Sequence, residues 1–75
     1  MSLSIRQLQI VHTVASSGSV TSAAQSLGIS QPAVSMMLRE CSREAGFPMF
    51  VRKQGRLQPT AETRVLLAEL ERVFD

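Results

Sequence analysis

Tryptophan and tyrosine are absent from these 75 residues, and histidine, cysteine and aspartate occur once each, as His12, Cys41 and Asp75. Those scarcities remove most enzyme chemistry. A Ser-His-Asp or Cys-His relay would have to be built on His12, with no Asp to orient it except the last residue. Zinc takes three or four Cys, His or carboxylate ligands, and His12 and Cys41 are the only soft ones. The chain is therefore not read as an enzyme, and neither a metal nor another cofactor is expected. A lone cysteine cannot close an internal disulfide and suits a reducing compartment. No apolar run approaches the roughly 18 residues of a membrane span. The opening stretch does not read as a signal peptide, because Arg6 is its only charge and polar residues interrupt the apolar ones after it. A soluble cytoplasmic protein without a membrane partner is the expectation. Single-stranded nucleic acid is disfavoured too, since the few Phe residues are needed for packing rather than base stacking.

What is present describes one small domain. A chain of this size buries only about 60% of its unfolded surface, so its core is marginal. With neither disulfide nor metal, pairing with a second chain is the expected extra support. The hydrophobic share of 44% is that of an ordinary globular domain. The net charge of +2 conceals a polarity. Residues 1–58 hold Arg6, Arg39, Arg43, Arg52, Lys53 and Arg56 against Glu40 and Glu44. Residues 59–75 hold Arg64 and Arg72 against Glu62, Glu69, Glu71 and Asp75. A basic body with an acidic tail points the body at an anionic partner and the tail at a different one.

Glycine and proline divide the chain. Ser4 with Gln7 fits a capping box, and Ile5, Leu8, Val11 and Ala15 then recur at helical spacing as the apolar stripe of a first helix, stopped by Gly18. Ser19 is placed to cap a short second helix through Ala23, Ala24 and Leu27, ended by Gly28. Ser30 is placed to cap a third, with Pro32 tolerated in its first turn and Gly46 and Pro48 closing it. Phe50 and Val51 are strand formers, Gly55 supplies a turn and Leu57 returns, which predicts a short β-hairpin. Thr60 then caps a last helix. The expected order is helix, helix, helix, hairpin, helix, a mainly α winged helix-turn-helix.

The second and third helices carry the most specific signal. A helix-turn-helix crosses two helices steeply over a short turn that often contains Gly. Ala23 and Ala24 permit the close crossing, Gly28 turns, Ile29 plugs the corner, and Val34 and Leu38 face back inward. At about 100° per residue, Val34, Leu38, Cys41 and Ala45 share one stripe of the third helix, with Met37 at its edge. The opposite face shows Pro32, Ser35, Met36, Arg39 and Arg43. That face suits a major groove, with the N-terminal residues from Ser30 onward nearest the bases. Gln31 is the best direct reader, because its amide pairs bidentately with adenine. Ser35 serves base edges or phosphate, and the exposed Met36 suits a thymine methyl.

In the hairpin, Arg52, Lys53 and Arg56 fall within five residues. Such a cluster is usually just a solvated loop. Beside a recognition helix it becomes a basic wing for phosphates or the minor groove, which positions the protein rather than reading sequence. In the last helix, Thr63, Leu66, Leu70 and Val73 follow 3-4-3 spacing, and Leu67 with Phe74 widens the stripe. That face either packs on its own domain or pairs with its twin, and two-fold pairing would present two recognition helices to two half-sites.

These residues resemble the N-terminal winged helix-turn-helix domain of LysR-type transcriptional regulators, from about Ile5 to Leu70. Ile5-Arg6-Gln7-Leu8 looks like that family's opening helix, and Gly18 through Ala24 with Leu27 resembles its second. Ser30-Gln31-Pro32-Ala33-Val34-Ser35 is the most distinctive string, and Pro48-Met49-Phe50-Val51-Arg52 looks like the approach to the wing. Pro59-Thr60-Ala61-Glu62 is similar to a variant found among the family's lysine and opine catabolism regulators. The resemblance implies a DNA-reading unit over 1–58 and the start of a linker and dimerisation helix over 59–75. It implies a dimer bound to an interrupted inverted repeat in duplex DNA. It also implies a larger ligand-sensing domain outside these residues, through which a small-molecule inducer acts, so that the chain is expected to be a fragment. By matching position the DNA contacts fall on Gln31, Pro32, Ser35, Arg52, Lys53 and Arg56.

The sequence departs from that pattern in places. Met36 stands where the family usually has a basic residue, and Cys41-Ser42 where it usually has Leu-Glu. Ala45 replaces a usual Leu, so the third helix packs either less tightly or against larger neighbours. Glu62-Thr63 replaces a usual Ala-Gly. Cys41 reads as a small buried hydrophobe rather than a redox sensor, and His12 as a partly exposed structural residue. The competing function is a protein-interaction module in which Met36 and Pro32 form an apolar contact patch; the acid-poor recognition face and basic wing favour DNA.

Overall fold

Each of the first three helices begins and ends on chemistry carried in its own segment. The structure, a computed structural model, describes residues 2–74, with side-chain surroundings over residues 2–72. Helix α1 spans Ile5–Ser17, α2 Val20–Leu27 and α3 Gln31–Ala45; strands β1 (Phe50–Lys53) and β2 (Arg56–Pro59) come next, then α4 over Ala61–Phe74. Ser4 Oγ accepts the Gln7 amide at 3.1 Å while Gln7 Oε1 accepts the Ser4 amide at 2.8 Å, closing the capping box. Ser19 Oγ accepts from the Ser22 amide at 3.0 Å, and Ser30 Oγ from the Ala33 amide at 3.2 Å. Pro32 sits in the first turn of α3, where its missing N–H orphans no acceptor.

The turn between α2 and α3 is a complete Schellman motif. The Ile29 amide donates to Ala24 O at 3.1 Å and the Gly28 amide to Gln25 O at 3.3 Å. Gly28 has φ 70°, a left-handed conformation that an L side chain resists. The motif returns Ile29 onto the core, as its place at the corner required.

Two clusters make that core. In the first, Ile10 and Val14 of α1 meet Ala23 and Ala24 of α2 and Val34 of α3, with Ile29, Phe50 and Leu57 packed around them. In the second, Val11, Cys41 and Met49 are buried beneath Leu3, Ala45, Phe47 and Leu67. Leu38 and Phe50 belong to both, so α3 and the first wing strand are joined through one apolar body. The small side chains at 41 and 45 are therefore met by larger neighbours, Met49 and Phe47. The expected stripe of α1 needs correcting. Ile5 is 68% exposed, and the buried residues are Ile10, Val11 and Val14. The stripe is centred on the Ile10–Val14 pair, which faces α2 and α3, and Ile5 lies on the other side of the helix, with Leu8 and His12.

The strands pair antiparallel with Phe50 opposite Pro59 and Lys53 opposite Arg56. Between them Gln54 and Gly55 have φ 55° and 76°, the two positive values a tight type I′ hairpin needs. Strand β2 ends at Pro59, where the hairpin was expected to end, and α4 is bonded back to the wing's root. The Thr60 amide donates to Met49 O at 3.1 Å, and the Thr60 hydroxyl donates to Pro48 O at 2.8 Å.

Candidate nucleic-acid interface

With Val34 and Cys41 fully buried, the opposite side of α3 must face solvent; Pro32, Met36, Arg39 and Arg43 are on that side, and Gln31 is exposed at the first position of the helix. Ser35 lies on the same face, half-buried. Met36 is 50% exposed, an apolar thioether set among polar and cationic neighbours. Ser30 is committed to capping through its acceptor lone pair, which leaves its hydroxyl proton free to donate outward.

Arg52, Lys53 and Arg56 are exposed on the wing. Arg39 shares a shallow cleft with Met49 and Phe50 at the start of β1, so the cationic middle of α3 adjoins the root of the wing. Register sets the hairpin's faces. Residues 50 and 52 alternate with 51 and 53, and Lys53 stands directly opposite Arg56. The Arg56 guanidinium reaches back toward the end of α1: its Nη2 lies 3.3 Å from where a Cβ on Gly18 would stand.

Helix α4 divides its apolar residues differently from the expected dimerisation stripe. Thr63 is 0% exposed within its own domain, so its side chain is not offered to a second chain. Its amide donates to Thr60 Oγ1 at 3.3 Å, and its hydroxyl donates toward Met49 Sδ at 3.5 Å. The polar group is buried because both partners are built in. Leu67 packs against the second core cluster, and Leu66 and Leu70 are half-buried. The side chains of Val73 and Phe74 lie outside the described residues. What the stripe missed is Val65, 67% exposed. Three consecutive apolar residues, Val65-Leu66-Leu67, cannot all turn inward on a helix, which is the signal in the sequence. Leu70 joins Ile5, Leu8 and His12 of α1 along a mainly apolar cleft of about 370 Å³.

Cys41 is buried, and that burial pushes its thiol above the ordinary cysteine range, with the carboxylates of Glu44 and Glu40 pushing the same way. Among the described residues no group of three or more His, Cys, Asp or Glu is gathered as a metal site, and no helix is long and apolar enough to cross a membrane.

Residues 5–64 match the family model for bacterial regulatory helix-turn-helix proteins of the lysR family. The regulator CbbR of Xanthobacter flavus is 45% identical over 69 residues, covering 92% of this chain and 21% of its own length. A crystal structure of a LysR-family transcriptional regulator from Eggerthella lenta superposes with a TM-score of 0.86 at 30% identity, covering 92% of this chain and 99% of that one. The CbnR DNA-binding domain, solved as a complex with DNA, superposes with a TM-score of 0.85 at 25% identity, over 96% of this chain and 83% of that one. The chain spans less than a quarter of the length of the curated relatives it matches, 24% of one and 21% of another.

Proposed function

This chain belongs to the lysR family of bacterial regulatory helix-turn-helix proteins, and from that premise we propose that it binds duplex DNA sequence-specifically as a dimer. The relatives it matches are transcriptional regulators rather than enzymes, and this chain is a winged helix-turn-helix regulatory domain of the same kind. One observation carries the DNA reading: the solvent-facing side of α3 presents Gln31, Ser35, Met36 and Arg39 beside a wing bearing Arg52 and Lys53. Its N-terminal end enters the major groove, where Gln31 reads an adenine edge, Ser35 bonds a base edge or phosphate, and Pro32 and Met36 pack on the groove wall. Arg39, with Arg52 and Lys53 of the wing, neutralises phosphate and fixes register without reading sequence.

Residues 1–58 form the reading unit, and α4 begins the linker that pairs two copies. The residues that support pairing are the exposed Val65 and Ile5 with the half-buried Leu66 and Leu70, all apolar side chains that one chain alone leaves wet. Two copies related by a two-fold axis would read an interrupted inverted repeat. An inducer would act through a ligand-sensing domain outside these residues, in the bacterial cytoplasm.

Selection from a randomised duplex pool, followed by sizing of the selected complex, tests this. An interrupted inverted repeat bound by two chains is the expected result. No enrichment, with retention lost at moderate salt, would overturn specific reading and leave Pro32 and Met36 as a protein-contact patch.

A further inference from the structure

We infer that Arg56 is a positioning residue, its guanidinium holding the wing against the C-terminal end of α1 instead of lying on a phosphate. The guanidinium Nη2 is 3.3 Å from the Cβ position of Gly18. Gly18 caps α1 with φ 73°, so the cation stands at the negative end of the helix. Helix α1 has no basic residue in its own last turn. Arg56 supplies that charge from 38 positions further along the chain. Gly18 is also the one glycine whose missing side chain makes room for something: a Cβ there would crowd the guanidinium, whereas Gly28, Gly46 and Gly55 face open space.

Register gives the same answer from the other strand. Lys53 and Arg56 are directly opposed across the hairpin, and like charges in that relation repel. An Arg56 folded back onto α1 relieves the pair and leaves the wing tip to Arg52 and Lys53. Three basic residues in the sequence thus divide into two that meet the anionic partner and one that sets the angle at which they meet it.

The DNA consequence rests on the proposed reading of the wing, so the test has one arm that needs no DNA. Without duplex, Arg56→Ala should lower the melting temperature by roughly 2–6 °C, Arg56→Lys should recover part of that, and Arg52→Ala should leave it unchanged. With a random-sequence 30-bp duplex, well below melting, Arg52→Ala and Lys53→Ala should each flatten the plot of log affinity against log salt by about 0.9. Arg56→Ala should weaken binding roughly two- to five-fold at every salt concentration without changing the slope. A slope flattened as much as by Arg52→Ala would make Arg56 a phosphate ligand and overturn the inference. An unchanged melting temperature would overturn it equally. If the wild-type chain bound no duplex, the DNA reading would fail, and the melting comparison would still decide the contact with α1.

Discussion

Ser42 Oγ accepts the backbone N–H of Met49 at 3.0 Å, joining α3 to the chain just before the wing. Met49 is held on every side: its carbonyl takes the Thr60 amide, its sulfur faces the Thr63 hydroxyl, and its side chain is buried beside Cys41 and Val11. One residue thereby ties α3, the root of the wing and the start of α4 together. The root of the wing is anchored to α3 at this point, and the far end of the hairpin is left to its contact with α1.

Ser42→Ala leaves the Met49 amide without its acceptor. A part-buried donor stripped of its partner costs about 1–3 kcal/mol, and a domain of this size loses roughly 4–8 °C of melting temperature per kcal/mol. Thermal unfolding followed by circular dichroism checks this, and a melting temperature within a degree of wild type would show that the bond contributes nothing.

Gln31→Ala and Arg52→Ala should fail in different ways. Losing a bidentate amide contact removes about 1–3 kcal/mol of discrimination at one base pair, so Gln31→Ala should bind selected and random duplexes more alike. Arg52→Ala should weaken both by a common factor, because phosphates carry no sequence information. Anisotropy titrations on both duplexes separate the two, and equal loss on both for Gln31→Ala would remove its role as a reader.

On α4, neighbouring substitutions should part stability from assembly. Thr63→Val keeps the shape but deletes a buried hydroxyl, so stability should drop by about 1 kcal/mol while the dimer mass holds. Leu70→Asp places a charge in the apolar cleft beside Ile5 and Leu8 and should give monomers. Light scattering reads the mass, with circular dichroism confirming helix content. Dimers that survived Leu70→Asp would refute pairing through this surface.

Cys41 predicts both a reactivity and a pH dependence. Buried and raised by desolvation, its thiol should react with an aromatic disulfide only when the domain opens. Because the folded value lies above the unfolded one, the unfolded chain ionises first as pH rises. The stabilisation is complete below the ordinary value of 9.0 and is lost as pH climbs through the folded value. Melting from pH 7 upward should show an alkaline decline that Cys41→Ala reduces.

The first three helices were legible because their limits are local: Ser4, Ser19 and Ser30 bond amides three residues ahead. The helix-turn-helix corner was legible for the same reason, since Gly28 and Ile29 close their bonds onto α2. What escaped depends on distant partners. Ile5 fits a helical stripe as well as Ile10 does, and only the placement of α2 and α3 decides which is covered. Thr63 reads as one more position on a seam until Met49, fourteen residues earlier, receives its hydroxyl. Arg56 is indistinguishable from Arg52 in sequence, and its separation from it arises from the end of α1 lying beneath the wing. The wing's turn was weakly marked because Gln54 takes the left-handed position more often filled by Asn, Asp or Gly.

Because α3 starts at Ser30 and stops at Gly46 on bonds made within its own segment, its exposed face takes its shape from the chain itself rather than from a partner. The proposed association with duplex DNA should then need no disorder-to-order step, leaving the entropy of folding outside complex formation. The heat-capacity change on binding should accordingly track interface burial alone, and the on-rate should be governed by electrostatic steering rather than by a conformational gate.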